Sequence, residues 1–258
     1  MIDVGGHQLA LYCSGDGSPT VLLEAGLGGD HTSWALVQPD IAREYRVCSY
    51  DRAGLGRSDP GPLPRTSQQI SSELHTLLTT AEIAPPYILV GHSFGALHIR
   101  TYADQHPDTV LGMVFVDAVH EDWWERAAET LPPPGETDDE RLTSLRAYLT
   151  AGYRDPANNG EGIDIPASVQ QVRQTGTFGA TPIIVLTGGI FNVLAPGLTP
   201  DVEAKLQTLF QDELQGRLAA LSTNSARIVA PNSGHNMPED NPQAIITAVQ
   251  ALQSAMAN

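Results

Sequence analysis

Ser93 stands at the centre of Gly91-His92-Ser93-Phe94-Gly95, between the apolar run Tyr87-Ile88-Leu89-Val90 and a helix-compatible run, Ala96 to Gln105. A Gly-x-Ser-x-Gly set between a strand and a helix is the pattern of a nucleophile elbow. In such a turn small residues let strand and helix pack closely around a serine held in a strained backbone conformation, which lifts its hydroxyl above the sheet. A serine hydroxyl is a poor nucleophile near neutral pH and needs a base to take its proton.

Eight histidines are available for that task. His92 adjoins the serine, but neighbouring side chains on a sharp turn diverge, so it reads as a packing or polar-support residue. His75, His98 and His106 fall on expected helices and His7 near the N-terminus, where structural or solvated roles suffice. His235 differs. It lies in Asn232-Ser233-Gly234-His235-Asn236, a short loop after the last expected strand and before the final helix. From there a histidine can swing over the carboxyl edge of a sheet and reach Ser93, and it is taken as the base.

The elements that must position these residues follow from the pattern of apolar runs. His7 to Ser14 is extended, and Thr20 to Glu24 is a buried strand running into Ala25-Gly26-Leu27-Gly28-Gly29. That glycine-rich turn can offer a backbone N–H, here of Leu27, to a developing negative charge. Thr32 to Tyr45 reads as a helix with Trp34, Leu36, Val37 and Ile41 on its apolar face, and Arg46 to Tyr50 as a strand. The loop Asp51-Arg52-Ala53-Gly54-Leu55-Gly56-Arg57-Ser58-Asp59 lacks the Gly-Lys-Ser/Thr end of a phosphate loop and the helix of a dinucleotide site. It reads as structural, with Asp51 and Arg52 tied to backbone hydrogen bonds. Thr66 to Ala84 is helical and stopped by Pro85-Pro86; Val110 to Asp117 is a further strand. Strand and helix thus alternate, which implies a parallel sheet covered on both faces.

Residues 119–180 break that pattern. They hold Trp123-Trp124, the prolines at 132–134, an acidic run from Glu136 to Glu140, one helix near Arg141 to Ala151 and the turn-rich Arg154 to Pro166. The expected organisation is a core of residues 1–118 and 181–258, with 119–180 as a lid over the carboxyl edge of the sheet, where ligands bind in such folds. The core resumes with a strand at Thr181 to Thr187, helix within Pro200 to Leu221, a strand at Ala226 to Ala230 and a last helix after Asn241-Pro242.

The 258 residues suffice for one large α/β domain. A net charge of −16 argues against nucleic acid and anionic membranes as partners, and against polyanionic substrates. No segment has the ~18 to 20 apolar residues of a membrane span, and Met1 to Gly6 lacks a signal peptide's basic and apolar parts, so the chain reads as cytoplasmic, with a secreted form trimmed of its leader as the alternative. Two cysteines, Cys13 and Cys48, are too few for a disulfide scaffold or a zinc site and read as unlinked thiols. No metal or cofactor is expected, and nothing in the sequence fixes an oligomeric state.

Gly-His-Ser-Phe-Gly followed by an acidic residue and then Ser-Gly-His, with the upstream Glu-Ala-Gly-Leu-Gly and Tyr-Asp-Arg-Ala-Gly-Leu-Gly-Arg-Ser loops, resembles the α/β-hydrolase family. The resemblance spans the chain outside residues 119–180. It implies a mostly parallel eight-stranded sheet flanked by helices, with the lid inserted after strand six. It also implies that Cys13 and Cys48 lie on neighbouring strands, where a bridge between them is the alternative to unlinked thiols, and that an oxyanion hole forms from the N–H groups of Phe94 and Leu27. Where the family often has His-Gly in the early loop this chain has Ala25-Gly26, so only the backbone role carries over.

The acid is where the sequence departs from the family's commonest pattern. The turn after strand seven, Gly188-Gly189-Ile190-Phe191-Asn192, has asparagine where a carboxylate usually stands, and an amide cannot supply the charge that stabilises an imidazolium. Asp117, at the end of strand six, is taken as the acid, as in some family members. Asp201 is the second candidate and Glu121 a further one. Substrate contacts are expected from His31, His120, Trp123 and Trp124, with Tyr148, Tyr153 and Phe178 as further aromatic candidates.

The resulting expectation is a serine hydrolase of small-molecule carboxylic esters with short or medium acyl chains, acting through an acyl-enzyme. A serine nucleophile disfavours the dehalogenase and epoxide hydrolase branches, which use aspartate there. A lactonase, amidase, carbon–carbon hydrolase or acyltransferase would carry the same residues, and a small-ligand receptor with little turnover is the alternative from another class.

Overall fold

Eight strands make one sheet: β1 (Ile2–Asp3), β2 (Gln8–Ser14), β3 (Thr20–Glu24), β4 (Arg46–Asp51), β5 (Tyr87–His92), β6 (Val110–Val116), β7 (Ile183–Gly188) and β8 (Ser225–Ala230). The computed structural model describes residues 1–135, 138–191 and 198–256, so Glu136 and Asn192 of the sequence reading lie outside the described residues. Spatial order is β1-β2-β4-β3-β5-β6-β7-β8. The β1–β2 and β2–β4 pairs are antiparallel and the rest parallel. The helices are α1 (Gln38–Ile41), α2 (Ser67–Thr80), α3 (Gly95–Gln105), α4 (Trp123–Thr130), α5 (Glu140–Thr150), α6 (Ile165–Arg173), α7 (Pro200–Gln207), α8 (Gln215–Ala219), α9 (Met237–Asp240) and α10 (Pro242–Met256).

Strands β3, β5 and β7 are buried along their whole length. That is why they read as near-continuous apolar runs rather than alternating ones. Successive side chains serve two cores. Leu22, Leu89, Phe115 and Val185 meet Leu74 and Leu77 of α2 and Ile99 of α3. On the other face Val21, Ile88, Val114 and Ile184 meet Trp34, Val37, Ile41 and the apolar face of α10: Ile245, Ile246, Val249 and Leu252. A third core joins Phe94 and Leu97 to Trp123, Trp124, Leu149, Val169, Val202 and Phe210. It binds the segment between β6 and β7 to the carboxyl end of the sheet.

Two expectations are corrected. The helix expected over Thr32 to Tyr45 is a 3₁₀ turn at His31–Trp34 followed by the separate α1. Asp30 caps the first piece through the Thr32 N–H at 2.8 Å, and Pro39, which has no N–H to donate, starts the second. The break leaves Leu36 56% exposed, off the apolar face assigned to it. The cysteines are bonded to each other, not unlinked. The β2–β4 register sets Cys13 directly opposite Cys48, with Cα atoms 4.1 Å apart.

Between β6 and β7 the described residues contain no strand, as the sequence implied, but three α-helices, with two short 3₁₀ turns between α5 and α6, rather than one helix. An isolated parallel bridge from Ile163 to Arg65 fastens this segment to the core. The Ser67 N–H, donated to Ser168 Oγ at 3.0 Å, fastens it again. Among the described residues no helix is long and apolar enough to cross a membrane.

Candidate active site

Ser93 is the residue after β5, with φ +51°, in the left-handed region that costs a non-glycine residue on the order of 1–3 kcal/mol. Its N–H donates to Val116 O at 3.0 Å, and its carbonyl accepts the Val119 N–H at 3.1 Å. The flanking glycines have no room for a side chain. A Cβ at Gly91 would stand 2.8 Å from Ile99 Cδ1, and one at Gly95 would stand 2.6 Å from Ala25 O and 2.7 Å from Glu24 O. Asp117 repeats the geometry one strand over: it follows β6, has φ +39°, and donates its N–H to Leu186 O at 2.7 Å. Two parallel strands thus end in left-handed turns side by side, each presenting a polar side chain at the carboxyl edge.

His235 reaches this edge on the loop between β8 and α9. Gly188 lets the loop close in, since a Cβ there would lie 2.9 Å from Ser233 O and from Gly234 O. The Ile190 N–H donates to Ser233 O at 3.0 Å and the Gly234 N–H to Asp240 Oδ2 at 3.0 Å, holding the loop from both sides. His92 donates Nε2–H to the His235 carbonyl at 2.7 Å. Burial, and then the charge of His235, push the His92 imidazole down to about 4, so it stays neutral.

In this arrangement His235 Nε2 lies 2.9 Å from Ser93 Oγ, and Nδ1 lies 2.7 Å from Asp117 Oδ2. Asp117, only 2% exposed, also accepts the Gly188 N–H on Oδ1 at 2.8 Å. Asp201 is not brought here: it is exposed on α7 and pairs with Lys205 at 2.8 Å. Glu121 is committed to Arg100; burial alone would raise its carboxyl, but that guanidinium holds it at about 2.

The Ala25–Gly29 loop faces the elbow closely. A Cβ at Gly26 would stand 3.2 Å from Ser93 Cβ and 3.1 Å from His92 Nδ1. Among the described residues no acceptor takes the N–H of Leu27 or of Phe94.

The other expected site residues are spread more widely. His31 is stacked on Tyr12 at 3.7 Å and held by Asp51. His120 is buried, accepts the Asp122 N–H on Nδ1, and is pushed down to about 4, first by burial. Trp124 sets its edge against Phe94 at 6.0 Å and stacks on Tyr153, while Trp123 meets Phe210. Tyr148 is exposed on α5. Phe178 lines a cavity with Pro107, Val110 and Met113 at the amino end of β6, away from Ser93. Its assignment to the substrate pocket is therefore corrected: it follows α6 back toward the start of β7.

Some contributors were not foreseen. The chain from Thr208 to Leu214 forms a π-helix. It sets the Phe210 ring 6.4 Å from His235 and carries Gln211, whose Nε2 donates to Gly188 O at 2.5 Å. Glu24 and Glu161, both buried, pair with buried Arg52. A carboxylate closing an apolar buried strand signals such a partner, so Glu24 was legible; Glu161 sits in a turn-rich stretch with no comparable signal. Among the described residues the grouping with metal-ligating chemistry is Asp30, His31 and Asp51. Asp51 already accepts from the His31 and Arg57 N–H groups and from Tyr12, and works as a loop brace.

With this geometry in place, comparison with known proteins gives the class. Residues 19–160 match the family model described as the alpha/beta hydrolase fold, and the chain belongs to that family. It is 28% identical to YqjL of Bacillus subtilis (strain 168) over 236 residues, covering 91% of this chain and 83% of that one. It is 23% identical to an AB hydrolase superfamily protein of Gibberella zeae over 276 residues, covering 91% and 86%. Among solved structures, a thermophilic esterase from Thermogutta terrifontis superposes with a TM-score of 0.66 at 20% identity, covering 96% of this chain and 94% of that one. At that identity the likeness is one of fold. Fold and relatives together support a hydrolase.

Proposed function

We propose that this chain is a serine hydrolase cleaving carboxylic esters of short to medium acyl chain through an acyl-enzyme. The observation that carries the reading is the hydrogen-bonded line Ser93 Oγ, His235 and Asp117, at 2.9 and 2.7 Å. His235 Nε2 takes the proton of Ser93 as Oγ attacks the acyl carbonyl. Asp117 holds Nδ1–H and offsets the imidazolium charge. The tetrahedral oxyanion is received by the N–H groups of Phe94 and Leu27, which have no acceptor among the described residues. His235 then protonates the leaving alcohol, and water, activated in the same way, releases the acid and restores Ser93.

Residues 119–180 act as a lid over this edge, with Trp123 and Trp124 supporting the acyl side through Phe210 and Phe94. A net charge of −16 favours small substrates over polyanions and leaves nucleic acid and anionic membranes as poor partners.

The test is incubation with a fluorophosphonate and turnover of p-nitrophenyl acetate and butyrate. Stoichiometric labelling at Ser93 with multiple turnovers is expected, and Ser93→Ala is expected to lose both. A folded wild-type sample that takes no label would sink the reading.

A further inference from the structure

Arg52 lies 1% exposed beneath the Ala25–Gly29 loop and spends its guanidinium on that loop's carbonyls. Nη1 donates to Ala25 O at 2.8 Å; Nη2 donates to Gly26 O at 2.6 Å and reaches Gly29 O at 3.4 Å. Two carboxylates hold it in place. Glu24, at the end of β3, takes Nη1 and is itself bonded by the Tyr50 hydroxyl. Glu161, from the segment between β6 and β7, takes Nε at 2.7 Å and Nη2 at 2.9 Å. Burial by itself would lower the Arg52 guanidinium, but Glu161 and Glu24 raise it, so it remains charged.

Peptide geometry turns these contacts into a direction. In a planar trans peptide the C=O and N–H point to opposite sides, and the Gly26–Leu27 bond is not among the cis bonds of this chain. Holding Gly26 O against Arg52 therefore aims the Leu27 N–H away from the guanidinium, from a residue that abuts Ser93 and His92. The next peptide is fixed too, because the Gly28 N–H donates to Glu161 Oε2 at 2.7 Å. Glu161 is anchored in turn: the Arg65 N–H donates to Gly162 O at 2.9 Å, and Asn159 closes the turn through the Ile163 N–H at 2.8 Å.

We propose that Arg52 and Glu161 are positioning residues that orient the Leu27 N–H for the oxyanion, so that the segment between β6 and β7 completes the reaction centre rather than only covering it. This deepens the serine hydrolase reading and rests on it. A wider consequence is that a shift of residues 159–163 changes the rate of the chemical step as well as access to it.

The test is Glu161→Gln, which keeps size and one acceptor but removes the charge. Its kcat for p-nitrophenyl butyrate is expected to fall by about 10- to 100-fold, less than the loss of a whole oxyanion donor, with KM within about threefold. The inhibition constant of an alkyl trifluoromethyl ketone, whose hemiketal oxyanion occupies the hole, should rise by the same factor, with the circular dichroism spectrum unchanged. A folded variant with wild-type kcat, or one that loses kcat while binding the ketone as tightly as before, overturns the proposal. If Glu161→Gln does not fold, Arg52→Lys, which keeps the charge and loses the fork, is read by the same two quantities with the same outcomes. Wild-type protein that turns over while Glu161→Gln matches it sinks this inference alone; wild-type protein that neither turns over nor is labelled sinks the hydrolase reading and this one with it.

Discussion

Asp117 and His92 both touch His235, one at the ring and one at the backbone, and their chemistry differs accordingly. In the proposed mechanism Asp117 supplies charge to the imidazolium, so Asp117→Asn should keep the fold and lose about 10²- to 10⁴-fold in kcat. Asp201→Asn, at an exposed pair with Lys205, should match wild type. Steady-state kinetics on both variants check this, and the reverse order would move the acid to Asp201. His92 instead contributes a neutral donor. Burial depresses its imidazole from 6.5 to about 4, so between those pH values the unfolded chain binds a proton that the folded one refuses. Stability therefore falls as pH drops from about 6.5 to 4, by on the order of 2–3 kcal/mol from this residue, and is untouched by it above 6.5. Urea midpoints across that range should show the slope in wild type and a shallower one in His92→Gln, whose amide still donates but does not titrate. Ser93 and His235 stood out in the sequence because a motif and a loop position announce them. Asp117 was chosen over Asp201 from its place at the end of strand six and from the family resemblance; the left-handed turn and the Gly188 N–H that aim it at His235 leave no local pattern.

The elbow is an element in which three pieces of chain share one small volume. β3, the turn at Ser93 and the start of α3 approach so closely that the carbonyls of Glu24 and Ala25 occupy the place of any side chain at 95. Both obstacles are backbone and cannot rotate away. Gly95→Ala should cost about 1–3 kcal/mol of stability, the usual toll of overpacking, and lower activity with it, read from urea midpoints alongside turnover. The strands that build this element were legible because burial on both faces leaves unbroken apolar runs. Helix α2 was legible too, with Thr66 capping it and Ile70, Leu74, Leu77 and Leu78 on one side. By contrast α4 and α6 are short and gain their order from a core shared with Phe94, Phe210 and Val202. Their local sequence carries little of that signal. The π-helix at Thr208–Leu214 is likewise a consequence of packing, the kind of irregularity that gathers at functional sites, and here it sets Phe210 beside His235 and Gln211 on the Gly188 carbonyl.

For the whole molecule the disulfide weighs most. A bond between Cys13 and Cys48 joins β2 to β4 at one side of the sheet and closes a loop with a sequence separation of 35. Restricting the unfolded chain over such a loop is worth about 3–4 kcal/mol, a large share of the 5–15 kcal/mol that separates folded from unfolded states in typical domains. Bridges of this kind persist in oxidising compartments and are uncommon in the cytosol, so the bond favours a site of action other than the cytoplasmic one that unlinked thiols would suit. Cys13 is solvent-exposed while Cys48 is 1% exposed, which leaves the bridge open to reductant from one side. Reduction, or the double change Cys13→Ser with Cys48→Ser, should lower the urea midpoint by an amount equivalent to about 2–4 kcal/mol. The bridge joins β2 to β4, whereas Ser93, Asp117 and His235 follow β5, β6 and β8, so kcat measured well below the transition should stay within about twofold of wild type, as expected for a site held by its own local bonds. Thiol titration of denatured, unreduced protein should find no free thiol. Two titratable thiols, or a midpoint indifferent to reductant, would return the pair to separate cysteines and restore the case for the cytoplasm.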